Sequence, residues 1–349
     1  MRKLCKALAV LTAGALLTLT GCSSSQTMPT KTFYVIGKSE DYFAEMIKAG
    51  VLDAGEEMHI NIIYRAPESE QLGAQLRLVQ EAAENHPDAL IVAPLDKDAL
   101  NDALAQAHDA GTAILTIDSD VSYAGRLSCI STQNYSAGAI AARYVAELLN
   151  AAGDIAIITH SSTAQTAQER CSGFMDELSG KAGHDGSDSS IPQFQIPINA
   201  PESEQIGTTG GFPGIRIVET KNGEGNIQHS CELAKQLISE NPNLRLIYTT
   251  NQLGTIGACQ AVSDLGAADR VKIVGFDYFD GADAYIESGV LAGVMAQNPY
   301  NMGYLSVRYA NRLSTGNAMD KVVNTGATLV TKENFNDEDI RFLINPTGL

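Results

Sequence analysis

The sequence predicts an α/β protein of two lobes with a ligand-binding cleft between them. From residue 31 onward, short apolar runs alternate with helical patterns, and the alternation starts again near residue 136. Two apolar runs, residues 113–117 and 271–276, each end on an aspartate, Asp118 and Asp277, in corresponding places of the two halves. A chain of 349 residues is also long enough for two domains.

The first half has the pattern of strands separated by single helices, which predicts parallel pairing with right-handed crossovers. The predicted strands are residues 32–37, 59–64, 89–93, 113–117 and 127–131, and the helices are 42–55, 68–85 and 98–110. The first helix places Phe43 on its apolar stripe together with Met46 and Ile47.

The second half repeats this pattern at a similar size. The predicted helices are residues 136–150, 166–178, 226–240, 253–265, 280–288 and 299–313, and the strands are 154–159, 215–220, 244–249, 271–275 and 291–296. Residues 321–331 are expected to run extended towards the end of the chain.

Residues 181–214 interrupt the alternation with clusters of Gly, Ser, Pro and Asp. Connections in compact domains are usually ~4–6 residues long, so this segment is predicted to be an insert or a disordered loop. Within it, residues 200–207 repeat residues 66–73 except that Ile206 replaces Leu72. The repetition has no functional explanation.

The N-terminal 22 residues have the pattern of an export signal. Arg2, Lys3 and Lys6 precede an apolar stretch at residues 7–19, which is too short for a membrane-spanning helix of ~20 residues. The ending Leu-Thr-Gly-Cys at Cys22 resembles the lipobox of bacterial lipoproteins, which implies cleavage before Cys22 and acylation of its thiol. Residues 23–31 then have the composition of a flexible tether. The alternative is an ordinary secretory signal in which Cys22 is incidental.

Composition and charge exclude several classes of protein. The chain is 44% hydrophobic and 19% charged, which is typical of a folded globular protein. Its net charge is −17, and loss of the basic signal makes it more negative still, which opposes nucleic-acid binding. The cysteines after residue 22 lack Cys-x-x-Cys spacing, so no metal site or cofactor is predicted. Whether they form disulfides is left open.

No catalytic signature stands out, and the polar residues that do stand out follow the predicted strands. Asp118 and Asn134 follow late strands of the first half, and Asn251 and Asp277 follow those of the second. Open α/β sheets bind ligands at the carboxyl ends of their strands. Asp277 has an alternative role as the N-cap of the helix at 280–288.

Four short motifs together resemble the type I periplasmic sugar-binding proteins, the ribose-binding group and its relatives. They are Thr-Ile-Asp at 116–118, Arg-x-x-Gly-Phe at 170–174, Val-Gly-Phe-Asp at 274–277 and Ala-Gln-Asn-Pro at 296–299. The resemblance covers most of residues 32–334. It implies two Rossmann-like lobes joined by a three-segment hinge, with a sugar bound in the cleft and delivered to an ABC transporter.

The resemblance also implies a set of ligand contacts. The residues expected to hydrogen-bond the ligand are Asp118, Asn134, Arg170, Asn251, Asp277 and Gln297, while Tyr42 and Phe43 match aromatic positions that stack on the sugar. The alternative for Phe43 is the buried face of its helix.

Three departures from the ribose-binding pattern put ribose itself in doubt. Ser119 stands where ribose-binding relatives carry an arginine, Glu40 stands in place of an asparagine, and residues 223–226 lack the expected stacking aromatic. Because a cation and an amide are replaced by neutral and acidic groups, the cleft is expected to be more negative and to suit an amino sugar or other cationic polyol.

The expected function is therefore that of an extracytoplasmic, lipid-anchored, monomeric solute-binding protein without enzymatic activity. It would serve an ABC transporter permease and contact the membrane only through its anchor. The expected lobes are residues 32–132 with 298–323, and 133–297 with 324–349. Two rival functions are a module that presents the bound solute to a sensor kinase or chemoreceptor, and the ligand-sensing core of a lactose-repressor-type transcription factor. The export signal and the absence of an N-terminal helix-turn-helix oppose the second rival.

Overall fold

The computed structural model describes residues 30–162, 164–181 and 211–346. The predicted signal with Cys22, all but the end of the tether, and most of the insert with the second copy of the repeat lie outside these residues.

The first half folds into alternating strands and helices close to those predicted. Its elements are β1 (Thr32–Ile36), α1 (Tyr42–Glu57), β2 (Asn61–Arg65), α2 (Leu72–Glu84), β3 (Ala89–Val92), α3 (Asn101–Asp109), β4 (Ala113–Ile117) and β5 (Ser128–Ser131). The strands are largely apolar and the central ones, β3 and β4, are buried along their whole length, as expected for a parallel sheet covered on both faces.

The second half repeats the arrangement. Its elements are α4 (Asn134–Leu148), β6 (Ala152–Thr159), α5 (Gln165–Ser179), β7 (Gly214–Asn222), α6 (Ile227–Glu240), β8 (Leu244–Thr249), α7 (Gln252–Asp264), β9 (Lys272–Phe276), α8 (Ala282–Glu287), β10 (Leu291–Gln297), α9 (Pro299–Leu313), β11 (Val322–Asn324), β12 (Ala327–Thr331) and α10 (Glu338–Ile344).

The described strands form two sheets of six with matching topology. The first has the order β11-β5-β4-β3-β1-β2, and the second has the order β12-β10-β9-β8-β6-β7. All pairings are parallel except that of β10 with β12. The predicted α/β fold with two Rossmann-like lobes is confirmed. The extended run expected at 321–331 is present as two strands, β11 and β12, which join different sheets.

Each sheet lies between two layers of helices. In the first lobe, α1 and α9 cover one face, and α2 and α3 cover the other. In the second lobe, α4 and α5 cover one face, and α6, α7, α8 and α10 cover the other. The chain passes between the sheets three times, after β5, β10 and β11. These passages are the predicted three-segment hinge.

Two further properties of the described residues bear on the expected function. None of their helices is long and apolar enough to cross a membrane. Cys129, Cys171, Cys231 and Cys259 are buried free thiols, which answers the question of disulfides for these four cysteines.

Candidate ligand-binding cleft

A large cleft lies where the carboxyl ends of the two sheets face each other. Its volume is about 1440 Å³. Seven of the nine predicted ligand contacts line it: Phe43, Asp118, Asn134, Arg170, Asn251, Asp277 and Gln297. Each lies at a strand end or in the first two turns of the following helix, so the parallel topology brings residues up to 254 positions apart in sequence to one cavity.

The two aspartates occupy equivalent and unusual backbone conformations. Asp118 follows β4 with a φ of 63°, and Asp277 follows β9 with a φ of 67°. Non-glycine residues adopt the left-handed region rarely, and aspartate tolerates it better than most. The backbone N–H of each donates to a carbonyl of the next strand, Ile130 and Met295 respectively, at 2.9 Å. Both strands therefore end in the same turn, which presents a carboxylate to the cleft.

In the first lobe, Asp118 is paired with Lys38, a residue that was not predicted to belong to the site. The Lys38 Nζ donates to Asp118 Oδ2 at 2.5 Å and to the Ser119 hydroxyl at 2.6 Å. Lys38 follows β1 and lies 80 residues before Asp118 in the sequence, so no local sequence pattern predicts the contact. The cation that Ser119 fails to provide is thus supplied from another strand.

In the second lobe, Arg170 is the centre of a buried polar network. Its Nε donates to Asn134 Oδ1 at 2.8 Å, and one terminal nitrogen, Nη1, donates to the Thr250 carbonyl at 2.8 Å. The same Nη1 lies 3.6 Å from Asp277 Oδ2, and the guanidinium carbon lies 3.8 Å from the centre of the Phe276 ring. Arg170 is only 3% exposed, so these partners replace its water.

Asp277 also accepts hydrogen bonds from outside this pair. The Gln297 Nε2 donates to its Oδ1 at 2.6 Å, and the backbone N–H of Gln252 donates to the carboxylate as well. Burial raises the pKa of Asp277, while Arg170 and Gln297 oppose the rise. The helix α8 begins at Ala282 with Gly281 as its N-cap, so the N-cap alternative for Asp277 is wrong.

Gln297 carries a buried acceptor without a partner among the described residues. Its Nε2 is engaged by Asp277, and its Oε1 has no hydrogen-bond partner. Gln297 is 5% exposed and lines the cleft. A buried acceptor without a partner costs free energy. A ligand hydroxyl that donates to this oxygen would therefore contribute more to binding than one that donates to an acceptor already exposed to water.

Asn251 combines two roles at the cleft. It is the N-cap of α7, and its Oδ1 accepts from the Gly254 backbone N–H at 2.9 Å. The side-chain oxygen is thus used by the helix cap, while the side-chain NH₂ group remains a donor at the cleft. Asn251 can donate to a ligand without losing its structural bond.

Glu40 and Tyr42 are the two predicted ligand contacts that are not among the residues lining this cleft. Asp41 caps α1 by accepting from the Ala44 N–H at 2.9 Å, and Glu40 before it is exposed. Tyr42 is the first residue of α1, and its hydroxyl donates to the Ile344 carbonyl at the end of α10. Because consecutive helical residues point about 100° apart, Phe43 faces the cleft while Tyr42 faces α10.

His160 is a further lining residue that sequence analysis did not single out. Its Nδ1 lies 2.8 Å from the Thr250 hydroxyl, and its backbone N–H donates to the same oxygen at 3.0 Å. Burial, with repulsion from Arg170 second, lowers its pKa to about 3. His160 is therefore neutral at physiological pH.

Aromatic side chains line the cleft on both sides. Tyr64 at the end of β2 joins Phe43 on the first-lobe side, and Tyr135 lies on the second-lobe side, at the start of α4. Residues 223–226 contribute Glu224 and Gly225 to the lining but no aromatic ring. Among the described residues, no group of three or more His, Cys, Asp or Glu side chains is placed to hold a metal ion.

Comparison with known proteins identifies the family. The sequence model of the periplasmic binding protein domain matches residues 33–318, more than three quarters of the chain. The chain belongs to this family. Members of the family are extracytoplasmic binding proteins of transporters and not enzymes, so the predicted absence of catalysis is confirmed on that ground.

Individual relatives agree with the assignment of this chain to the periplasmic binding protein family. The chain is 25% identical over 268 residues to the D-ribose/D-allose-binding protein of Pseudomonas aeruginosa, and the match covers 74% of each chain. It is 21% identical over 328 residues to the ribose import binding protein RbsB of Escherichia coli, covering 94% of this chain and 99% of the relative.

A solved structure shows the same fold. A carbohydrate transporter solute-binding protein from Agrobacterium radiobacter, in complex with D-arabinose, superposes on this periplasmic binding protein with a TM-score of 0.77. The two chains are 27% identical, and the match covers 91% of this chain and all of the other. The predicted resemblance to type I, ribose-binding-like proteins is thereby confirmed.

Proposed function

We propose that this protein captures a neutral sugar or sugar-like polyol in its cleft and delivers it to an ABC importer. The observation that carries the proposal is the pair of half-sites, one on each lobe, in which a carboxylate and a cation face the same cavity. Carboxylates accept from ligand hydroxyls, and Lys and Arg donate to ligand oxygens, so each half-site can bind a hydroxyl-rich molecule.

The charges of the cleft favour a neutral ligand at its centre. Asp118 is paired with Lys38 and Asp277 with Arg170, so neither central carboxylate is left for a cation alone. The two substitutions that pointed to an amino sugar do not favour one here, since Lys38 places a cation beside Ser119 and Glu40 is not among the residues that line the cleft. Apart from Lys97, the other charged lining residues among those described are acidic, which opposes anionic sugars.

The width of the cleft supports a mechanism that involves closure. Pockets fitted to one small molecule are usually about 300–1,000 Å³, and this cleft is larger. Rotation about the three passages between the sheets would bring the half-sites together around a ligand. The ligand would favour the closed form only by the extra contacts it gains with the second half-site.

The first experiment is thermal unfolding of residues 23–349 with a panel of pentoses, hexoses, polyols, amino sugars and nucleosides. A ligand at 100 times its dissociation constant stabilises the protein by ~2.7 kcal/mol, which raises the midpoint by several degrees. A neutral sugar or polyol is expected to give the shift. A response to amino sugars alone, or to none of the compounds, would contradict the proposal.

Asp277→Ala is the variant that tests the binding site with the same panel. The substitution removes little core volume, and Arg170 keeps its hydrogen bonds to Asn134 and Thr250, so the variant is expected to fold with reduced stability and to lose the ligand-dependent shift. An unchanged shift in the folded variant would remove Asp277 from the site. Binding retained by the Asp277→Ala variant would indicate that the main ligand contacts lie in the first lobe.

We also propose that the protein is a monomer anchored to the membrane by lipid at Cys22. The supports are the lipobox-like ending at Cys22 and the tether-like composition of residues 23–31. Cys22→Ser is expected to release the protein from membranes into the soluble fraction, as measured by fractionation. Continued membrane association of that variant would contradict the anchor.

The lobes are proposed to comprise residues 32–132 with 298–323, and 133–297 with 324–349. Support comes from the membership of β11 in the first sheet and β12 in the second. Two of the three similar proteins reported above are described as import or transport proteins and none as a sensor, so they do not support the alternative role of a sensory module.

A further inference from the structure

The helices α4 and α5 cross with their backbones in direct contact at two glycines. A methyl group on Gly138 of α4 would lie 2.2 Å from the Arg170 carbonyl oxygen. A methyl group on Gly173 of α5 would lie 1.9 Å from the Tyr135 carbonyl oxygen. Both distances are far below van der Waals contact, so only glycine allows this crossing without movement of a helix.

The glycine crossing lies beside the polar network of the second half-site. Arg170, whose carbonyl faces Gly138, donates through Nε to Asn134, the first residue of α4, at 2.8 Å. Tyr135, whose carbonyl faces Gly173, directly follows Asn134. A separation of the helices by about 1 Å would therefore stretch the Nε to Oδ1 distance beyond hydrogen-bonding range.

Other side chains hold the two helices together around this point. The Tyr135 hydroxyl donates to Asp176 at 3.1 Å, and Arg143 pairs with Glu177 at 3.1 Å. These contacts are partly exposed, whereas Arg170 is 3% exposed. The crossing thus combines a close backbone approach with a buried cation that is hydrogen-bonded to the first residue of α4.

We propose that Gly138 and Gly173 are positioning residues of the binding site, which hold the Arg170 guanidinium on Asn134 and Asp277 by setting the distance between α4 and α5. The effect on affinity rests on the proposed function. The geometric part does not, because the Arg170–Asn134 hydrogen bond joins two side chains of the protein and can be measured without a ligand.

The first lobe provides a matched control. Its helices α1 and α9 cross in the same way: a methyl group on Gly303 would lie 2.1 Å from the Ile47 carbonyl oxygen, and one on Gly50 would lie 2.0 Å from the Tyr300 carbonyl oxygen. This crossing lies beside no buried cation of the cleft. An alanine at Gly303 should therefore disturb packing to a similar degree without moving Arg170.

The ligand-free test is side-chain NMR of arginine-labelled full-length protein. The Arg170 Nε–H signal, assigned by its loss in Arg170→Lys, should exchange slowly with water because the group is buried and hydrogen-bonded. We expect exchange at least tenfold faster in Gly138→Ala and no change in Gly303→Ala. Unchanged exchange in folded Gly138→Ala, or equal acceleration in Gly303→Ala, would overturn the proposal.

The binding test is calorimetric titration with D-ribose and D-allose. Loss of a hydrogen bond to a charged group corresponds to roughly 10- to 100-fold weaker binding. We expect this loss in Gly138→Ala and unchanged affinity in Gly303→Ala. In an Asn134→Ala background, Gly138→Ala should weaken binding by less than about threefold, since the bond it acts through is already gone.

The outcomes separate this inference from the proposed function. If wild-type protein binds none of the panel compounds, the proposed function fails and the exchange measurement alone decides the inference. If Gly138→Ala does not fold, Gly173→Ala provides the same test from the opposite helix. Failure of both to fold while Gly303→Ala folds would assign the glycines to the fold alone and overturn the positioning role.

Discussion

The two halves of the cleft present an aspartate in the same way but stabilise it differently. Asp118 and Asp277 share a left-handed backbone and the same bond to the neighbouring strand. In the first lobe, the partner is Lys38, whose side chain is 21% exposed. In the second lobe, the partner is Arg170, whose side chain is 4% exposed and is held by Asn134, Thr250 and Phe276 as well.

This difference indicates that the two half-sites, Asp118 with Lys38 and Asp277 with Arg170, act differently in binding. The ammonium of Lys38 is a compact charge on a flexible side chain in contact with water, so it can shift to suit a ligand. The guanidinium of Arg170 is planar and fixed by several partners, so its geometry is set before the ligand arrives. The second lobe is therefore the preorganised half, and the first lobe is the adaptable half.

The largest expected contrast is in stability. Arg170→Met leaves Asp277 buried without its cation, which should lower the free energy of unfolding by about 3–5 kcal/mol. Lys38→Met should cost less, because the Lys38 side chain is 21% exposed and its attraction to Asp118 is more screened by water. Urea unfolding of both variants measures the difference. Equal losses would show that the two ion pairs have the same environment and would end the distinction.

The second contrast concerns the source of the first-lobe cation. Lys38→Met should weaken binding of the panel sugar by roughly 10- to 100-fold, the effect of removing one charged hydrogen bond. Adding Ser119→Arg to that variant should recover most of the loss, because a cation returns to Asp118 from the adjacent residue. Calorimetry on the two variants decides this point. A double variant no better than Lys38→Met alone would mean that Lys38 does not act as a substitute cation.

The third contrast is the pH dependence that His160 of the second lobe should add to the stability of the protein. The folded protein holds the pKa of His160 at about 3, below its ordinary value of 6.5, so the unfolded chain binds a proton first. Stability should therefore fall as the pH drops below 6.5, by at most about 1.4 kcal/mol per pH unit. His160→Asn should flatten this part of the stability curve.

Exposed His86 supplies the control for this measurement. It also has a positive φ, which asparagine tolerates, so His86→Asn should leave the pH dependence of thermal unfolding unchanged. If His160→Asn and wild type lose stability in parallel between pH 6.5 and 4, the lowered pKa of His160 is not the cause.

The sequence was sufficient for most of the fold because its signals are local. Strands such as 113–117 are continuous apolar runs, and helices such as 299–313 carry clear stripes and caps. It was not sufficient for the helix α10, and the division of 321–331 between the lobes was expected only from the family resemblance and not from the local pattern. The partner of a short strand depends on three-dimensional placement, which a ten-residue pattern does not contain.

In the candidate site, too, the residues marked by local sequence signals were predicted, and those that depend on distant contacts were not. Residues at strand ends, such as Asp118, Asp277 and Gln297, follow from topology, and the structure brings them together. Lys38 could not be predicted because its contact is distant in sequence. The direction of Tyr42 could not be predicted, because the helix begins one residue before Phe43 and helical rotation directs the two rings to different neighbours.

The division of residues 322–331 between the sheets has a consequence for how the chain matures. The edge strands β11 and β12 both come from this segment, and α9, which covers one face of the first sheet, ends at Leu313. Neither lobe can complete its sheet until nearly the whole chain has left the ribosome. Such late, long-range pairings slow folding. We expect the growing chain to remain loosely structured during synthesis, which is the state in which a protein can still be threaded across a membrane.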